Sequence, residues 1–274
     1  MASIDTSGIS ASHRDRTLWG VVAVWALLIV AFLAAPGSIS AKAHALLHGV
    51  CAQRASHSLW LGGVALPMDA RMTGIYLGAF VTMVWLLATG RMPAARFLRR
   101  PIITVLGAFV AIMGLDGFNA LLADIGLFHL YQPSNVLRLL TGIACGVSLG
   151  VAACHVFSTA WWNGKRVDAK KILRPIDVVS PLSISVTLAV PALTGLGILL
   201  TPYTVGLVIA VVWVIWLVIS AVVVVAIGEP RSMRVDRELA PAAIAAIGLT
   251  LTMIVGLAAA RYAAERFLGL PHLT

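Results

Sequence analysis

The chain has 274 residues, of which 60% are hydrophobic and 11% charged, with a formal net charge of +9. A typical soluble domain carries about a quarter charged residues, so this composition excludes a chain wetted over its whole surface and makes lipid its solvent. It leaves no soluble stretch large enough for an enzyme domain, and the basic excess, clustered beside apolar runs, fits membrane orientation better than nucleic acid.

Residues 1–17 read as a polar cytoplasmic tail. The apolar run Leu18–Pro36 follows without a small-residue cleavage site leading to a soluble domain, so a retained first helix is expected rather than a removed signal peptide. Six further runs have the roughly 20 residues a bilayer crossing needs: Met72–Gly90, Pro101–Leu122, Asn135–Trp161, Ile176–Thr201, Tyr203–Ile227 and Leu239–Tyr262. Backbone groups in hydrocarbon must bond internally, so each is expected to be helical. The fold class is therefore all-α, a seven-helix polytopic membrane protein. Residues 18–160 form helices one to four, and residues 161–274 form helices five to seven with a short tail. The fifth and sixth runs are expected to form a hairpin that turns at Thr201-Pro202.

The N-terminus and the loops after helices two, four and six carry 14 of the 20 Lys and Arg residues, and the other side carries 6. This asymmetry predicts a cytoplasmic N-terminus and a periplasmic C-terminus, in a bacterial inner membrane.

Gly142, Gly146 and Gly150 recur every four residues in helix four, a spacing expected for close helix packing. Pro191, with Gly195 and Gly197 after it, argues for a kink in helix five. Helix six is apolar on every face and is expected to meet mainly lipid. Helices five to seven hold no ionisable residue in their cores, which counts against ion coupling there.

Polar residues concentrate in two segments that the charge rule places on the same outer side. The first, from His44 to Tyr76, has His44 and His48 at i, i+4, so a helical turn puts both rings on one face. Its end carries Asp69 and Arg71 near the membrane interface. The second runs from Asp116 to Arg138, with Arg138 in the first turn of helix four after the cap-like Ser134-Asn135. A carboxylate and two arginines at one depth predict an ion pair, Asp116 with Arg71 or Arg138, fastening helices two to four. The same groups, with His44 and His48, also suit a polar mouth for a ligand headgroup. His155, inside helix four, is either a satisfied interfacial histidine or a ligand to a chlorophyll magnesium. Cys51, His57 and Asp69 are the nearest candidates for a metal set, and no metal site is expected. Cys145 and Cys154 read as buried small hydrophobes.

Four stretches carry a family resemblance: His48-Gly-Val-Cys51-Ala-Gln53, Asp69-Ala-Arg71-Met-Thr73-Gly74-Ile75-Tyr76-Leu-Gly78, Asp116-Gly117, and Pro133-Ser-Asn135-Val-Leu137-Arg138-Leu-Leu-Thr141-Gly142. In order and spacing they resemble a bacterial membrane family, domain of unknown function two-zero-eight-five, whose pattern runs CHQ, CxRCTGIY, DG, STNxLRxxTG. The resemblance covers about residues 44–150. Against the family pattern, Ala52 replaces a histidine, and Asp69 and Met72 replace two cysteines. The resemblance thus implies a kept scaffold of Arg71, Tyr76, Asp116, Asn135 and Arg138 and a discarded Cys/His site. The chain also resembles the seven-helix accessory subunit of reaction-centre–antenna complexes of filamentous green phototrophic bacteria. That likeness implies a non-catalytic subunit, with no cofactor of its own, touching quinone, carotenoid or bacteriochlorophyll of a larger complex. Its partners would be lipid and other membrane subunits, not nucleic acid. The alternatives are a small-solute transporter or channel, and a redox protein using Cys51 and His48.

Overall fold

The computed structural model describes residues 7–92, 98–161, 173–227 and 239–269. Among them are eight α-helices: α1 Ser7–Ala34, α2 Ile39–Leu47, α3 Ala70–Ala88, α4 Arg100–Asp124, α5 Asn135–Trp161, α6 Ile176–Leu193, α7 Leu200–Ile227 and α8 Leu239–Leu268. Six are long and apolar enough to cross a membrane. The expected first span, Leu18–Pro36, falls mainly in α1, whose Val22–Ala34 passes the same test only together with Ile39–Leu47, across a bend of 117°, which gives up to seven spans if the pair is one. The break has a local cause. Pro36 and Gly37 interrupt the helix, with Gly37 at a φ of 97° that a side chain disfavours. Lys42 then folds back to bond carbonyls at and just past the end of α1, Leu33 at 3.0 Å and Ala35 at 2.8 Å. Ser38 caps α2 through the Ala41 amide.

The all-α reading omits one element. Strands β1 (Ser58–Leu61) and β2 (Val64–Asp69) form an antiparallel hairpin between α2 and α3. Gly62 and Gly63 make its turn, both with positive φ, the conformation that a two-residue hairpin turn needs.

The expected turn at Thr201-Pro202 is corrected. Helix α6 ends at Leu193, and Gly195, at a φ of 71°, reverses the chain. Pro202 sits in the first turn of α7, where its missing N–H costs nothing. The glycines after Pro191 therefore end the helix rather than kink it. The turn docks on the hairpin, with the Gly62 amide donating to the Gly195 carbonyl at 2.9 Å.

Helices α3 and α5 form the spine. Gly142, Gly146 and Gly150 of α5 face backbone of α3, where an added Cβ would lie under 3.0 Å from Arg71, Ile75 and Ala79 respectively. Gly74 and Gly78 of α3 answer against Leu139 and Ile143 of α5. Small residues on both sides let the backbones touch, the usual basis of tight packing in lipid. Helix α7 differs from the lipid-facing expectation. Its 0–8% exposed residues Val208, Val211, Val212, Trp216 and Leu217 pack inward, and the Trp216 indole donates to the Ala243 carbonyl of α8. An all-round apolar helix is what a multiply contacted position requires. The basic loops after helices two, four and six fall largely in residues 93–97, 162–172 and 228–238, outside the described residues.

Candidate functional site

The polar residues gather at the end of the bundle that holds α2, the hairpin and the start of α5. Asp116, on α4 and 2% exposed, is the hub of the first cluster. Arg71, in the first turn of α3, donates Nη2 to its Oδ2 at 2.7 Å. Thr141 of α5 donates to the same oxygen at 3.3 Å, and the Tyr131 hydroxyl donates to Oδ1 at 2.8 Å. One carboxylate thus ties three helices and the α4–α5 loop. Burial and the bond to Asp116 push the Tyr131 hydroxyl above its usual range. Asn119, one turn along α4, holds the same loop. It accepts from the Leu130 amide at 2.7 Å and donates to the Tyr131 carbonyl at 2.9 Å.

Of the two arginines foreseen for Asp116, the partner is Arg71. Arg138 lies nearby but donates Nη1 to Asn135 Oδ1 at 3.0 Å. The Asn135 amide nitrogen in turn reaches the carbonyls of Ser56 and Ser58, both at 3.2 Å, and pins the segment before β1 to α5. Beside them, Asp124 lies 3.3 Å from Arg54 and 3.6 Å from His57. Burial lowers the His57 pKa below its ordinary value, and the Arg138 charge lowers it further.

The second cluster joins the chain's two halves. His48 is buried at the end of α2, and its Nδ1 donates to Gln53 Oε1 at 3.0 Å. The Gln53 amide cannot turn round, because its nitrogen donates to the His44 carbonyl at 2.9 Å and the Pro67 carbonyl at 3.0 Å. His48 Nε2 meets Glu265 Oε2 of α8 at 2.9 Å, so one proton lies between ring and carboxyl. Tyr262 stacks on the imidazole with centroids 4.0 Å apart. Arg261 donates to Glu265 at 2.8 Å and reaches the carbonyls of His48, Cys51 and Ala52. Gln53 is the one described non-glycine residue with positive φ, at 55°. Its side-chain bonds hold that sparsely populated conformation. Helix α8 thus ends in a charged latch, outside the apolar core of the helix. The i, i+4 spacing of Arg261 and Glu265 was its only sequence signal.

Asp69 and Tyr76 do not join the ion pair. Asp69 caps α3 by accepting from the Met72 amide at 2.9 Å, and Tyr76 packs with the apolar cluster around Leu47, Cys51 and Met68. The Cys51 sulfur accepts from the amides of Asp69 and Gln53 at 3.3 and 3.5 Å. Burial, then the Asp69 charge, pushes this thiol up to about 11. His44 folds back on Ser40 of its own helix, at 2.9 Å from the carbonyl, so the two histidines serve different partners. His155 sits apart, half-buried on α5, its carbonyl accepting from Thr159. Among the described residues, no three His, Cys, Asp or Glu side chains converge as a metal set. At the opposite end, Asp177 of α6 pairs with Arg91 at 2.5 Å and accepts from the Trp85 indole at 3.2 Å, a tie that the sequence reading missed.

Residues 51–152 match a family model described as Predicted membrane protein (DUF2085). This DUF2085 stretch starts at Cys51 and ends within α5, so it contains the hairpin, α3, α4 and the whole Asp116 cluster. The α8 half of the latch lies outside it. No curated protein and no solved structure matches the chain.

Proposed function

We propose that this protein is a non-catalytic integral membrane subunit whose DUF2085 stretch is a load-sharing frame. What carries the reading is the use of the polar side chains at the motif end. Asp116 receives three donors, and both nitrogens of His48 are engaged. The Cys51 thiol, with its pKa at about 11, stays protonated at neutral pH and is a poor nucleophile or metal ligand. Asp116 and His48 are thus spent on joining helices.

A place in a larger assembly is supported by α4, of whose apolar window 17% is buried, against 67% for α5. Most of α4 therefore faces lipid or neighbouring chains. The finer expectation of a photosynthetic complex with quinone passage draws no support from the fold or from the family match, and the subunit role is kept in its general form. The alternative of a small-solute transporter draws no support from Gly195 and Gly197, which form the turn between two helices.

The test is purification from native membranes in a mild detergent, with mass measurement and identification of copurifying chains. The expected result is a particle containing other membrane chains in fixed ratio. A monodisperse particle holding a single 28.9 kDa chain overturns the proposal.

A further inference from the structure

Among the described residues, four arginines are buried or half-buried: Arg71, Arg91, Arg138 and Arg261. Three of them hold a carboxylate, Arg71 at 2.7 Å, Arg91 at 2.5 Å and Arg261 at 2.8 Å. Arg138 is the most buried of the four, 6% exposed, yet among the described residues no carboxylate lies within 4.0 Å of it. A guanidinium has five N–H donors in a fixed fork. Here one nitrogen is used, on the neutral amide oxygen of Asn135. A buried charge without a counter-ion is costly, and in membrane proteins such groups are paired or bind ligands.

We propose that Arg138, with Asn135 and His57 beside it, binds a phosphate group at the motif end of the bundle. The fork of a guanidinium matches phosphate oxygens in bidentate fashion. Asn135 sets the fork's direction, since its nitrogen is anchored on the carbonyls of Ser56 and Ser58 and its oxygen must face Arg138. His57 feels the Arg138 charge and has only a long contact, 3.6 Å, to Asp124, so its ring can turn a proton toward a phosphate oxygen at the cost of that weak pair. The site is distinct from the Asp116 cluster, where Arg71 is already neutralised. The phosphate has two natural sources at this depth, a phospholipid headgroup or a free phosphate-bearing solute.

The probes are inorganic phosphate and a short-chain phosphatidylglycerol, each titrated into the full chain in a phosphorus-free maltoside detergent. Binding is read by thermal stability and by native mass spectrometry. A saturable response to at least one probe is expected, weakened about tenfold or more in Arg138→Gln. The exposed, carboxylate-paired Arg54→Gln should keep the wild-type response. A response to inorganic phosphate assigns a soluble ligand, and a response to phosphatidylglycerol alone assigns a headgroup. No response to either, or equal responses from wild type and Arg138→Gln, overturns the site. Should Arg138→Gln fail to fold, phenylglyoxal labelling of the wild-type protein decides. The binding probe should protect Arg138, and equal labelling with and without both probes overturns the proposal.

Discussion

Helices α4 and α5 are neighbours of similar apolar character, held by opposite means. Along its length α5 is fastened to α3 by backbone contact, through five glycines on two facing surfaces. Helix α4 has almost no such seam: an added Cβ at Gly107 or Gly114 would meet nothing within 4 Å. It leans on α5, where the Ser148 hydroxyl donates to the Leu106 carbonyl at 3.0 Å, and is pinned at the far end by Asp116 and Asn119. In lipid, where apolar surface gains nothing by leaving one hydrocarbon for another, helices stay together through close contact or polar ties. This molecule uses each method on a different helix.

Asp116→Ala should break the contrast most severely. It removes the only carboxylate within 4.0 Å of Arg71 among the described residues and leaves a partly buried guanidinium unpaired. Loss of one partner from a buried pair costs about 3–5 kcal/mol, and the lower end applies because the Arg71 side chain is 24% exposed. Equilibrium unfolding in mixed micelles measures the loss, and α4 should become protease-sensitive before α3 and α5 do. Simultaneous cleavage of all three would contradict the idea of a separately pinned helix.

Gly146→Leu comes next. Its side chain would run into the Ile75 backbone, which has no rotamer to give way, and overpacking of this sort costs about 1–3 kcal/mol. The matched change in α4, Gly107→Leu, enters open space and should stay within about 0.5 kcal/mol of wild type. Equal effects from the two substitutions would remove the distinction between seam and pin.

These positions were not equally legible in the sequence. The seven apolar runs stand out because hydrocarbon demands long apolar segments, and the four-residue glycine spacing describes a helix face directly. Asp116 with Arg71 could be foreseen because isolated charges at one depth have few ways to be satisfied. The choice between Arg71 and Arg138 could not, since both fall within a turn of the same level and only side-chain direction separates them. The α6–α7 turn was misplaced because Pro202 reads as a breaker, although proline is tolerated in a first helical turn. The Gly62-Gly63 hairpin carried a usable signal, two glycines between Trp60-Leu61 and Val64, masked by the weight of helix around it. Arg261 and Glu265 were missed for a deeper reason. They gain meaning only by meeting His48, more than two hundred positions away in the chain.

Asn119→Ala tests the pin without touching charge. It removes the acceptor of the Leu130 and Tyr131 amides, at 2.7 and 3.4 Å, and the donor to the Tyr131 carbonyl, at about 1 kcal/mol each at most. Hydrogen exchange should rise at those two amides while the α3–α5 seam keeps its protection. A rise that spreads into α5 would mean that the loop and the seam unfold as one unit.

The smallest effect is expected at Asp124, the last residue of α4. Its pairs with Arg54 and His57 are partly exposed, at 3.3 and 3.6 Å, and such pairs contribute about 0.5 kcal/mol or less. At neutral pH Asp124→Ala should be nearly silent, but acid should expose a difference. His57 has a folded pKa below the ordinary 6.5, so the unfolded chain takes up its proton first and stability falls as pH drops below 6.5. Asp124 opposes that shift by favouring the protonated ring. Removing it should lower the folded pKa further and steepen the acid loss, a small change readable as the slope of unfolding free energy between pH 7 and pH 5. An unchanged slope would show that Asp124 does not act on His57.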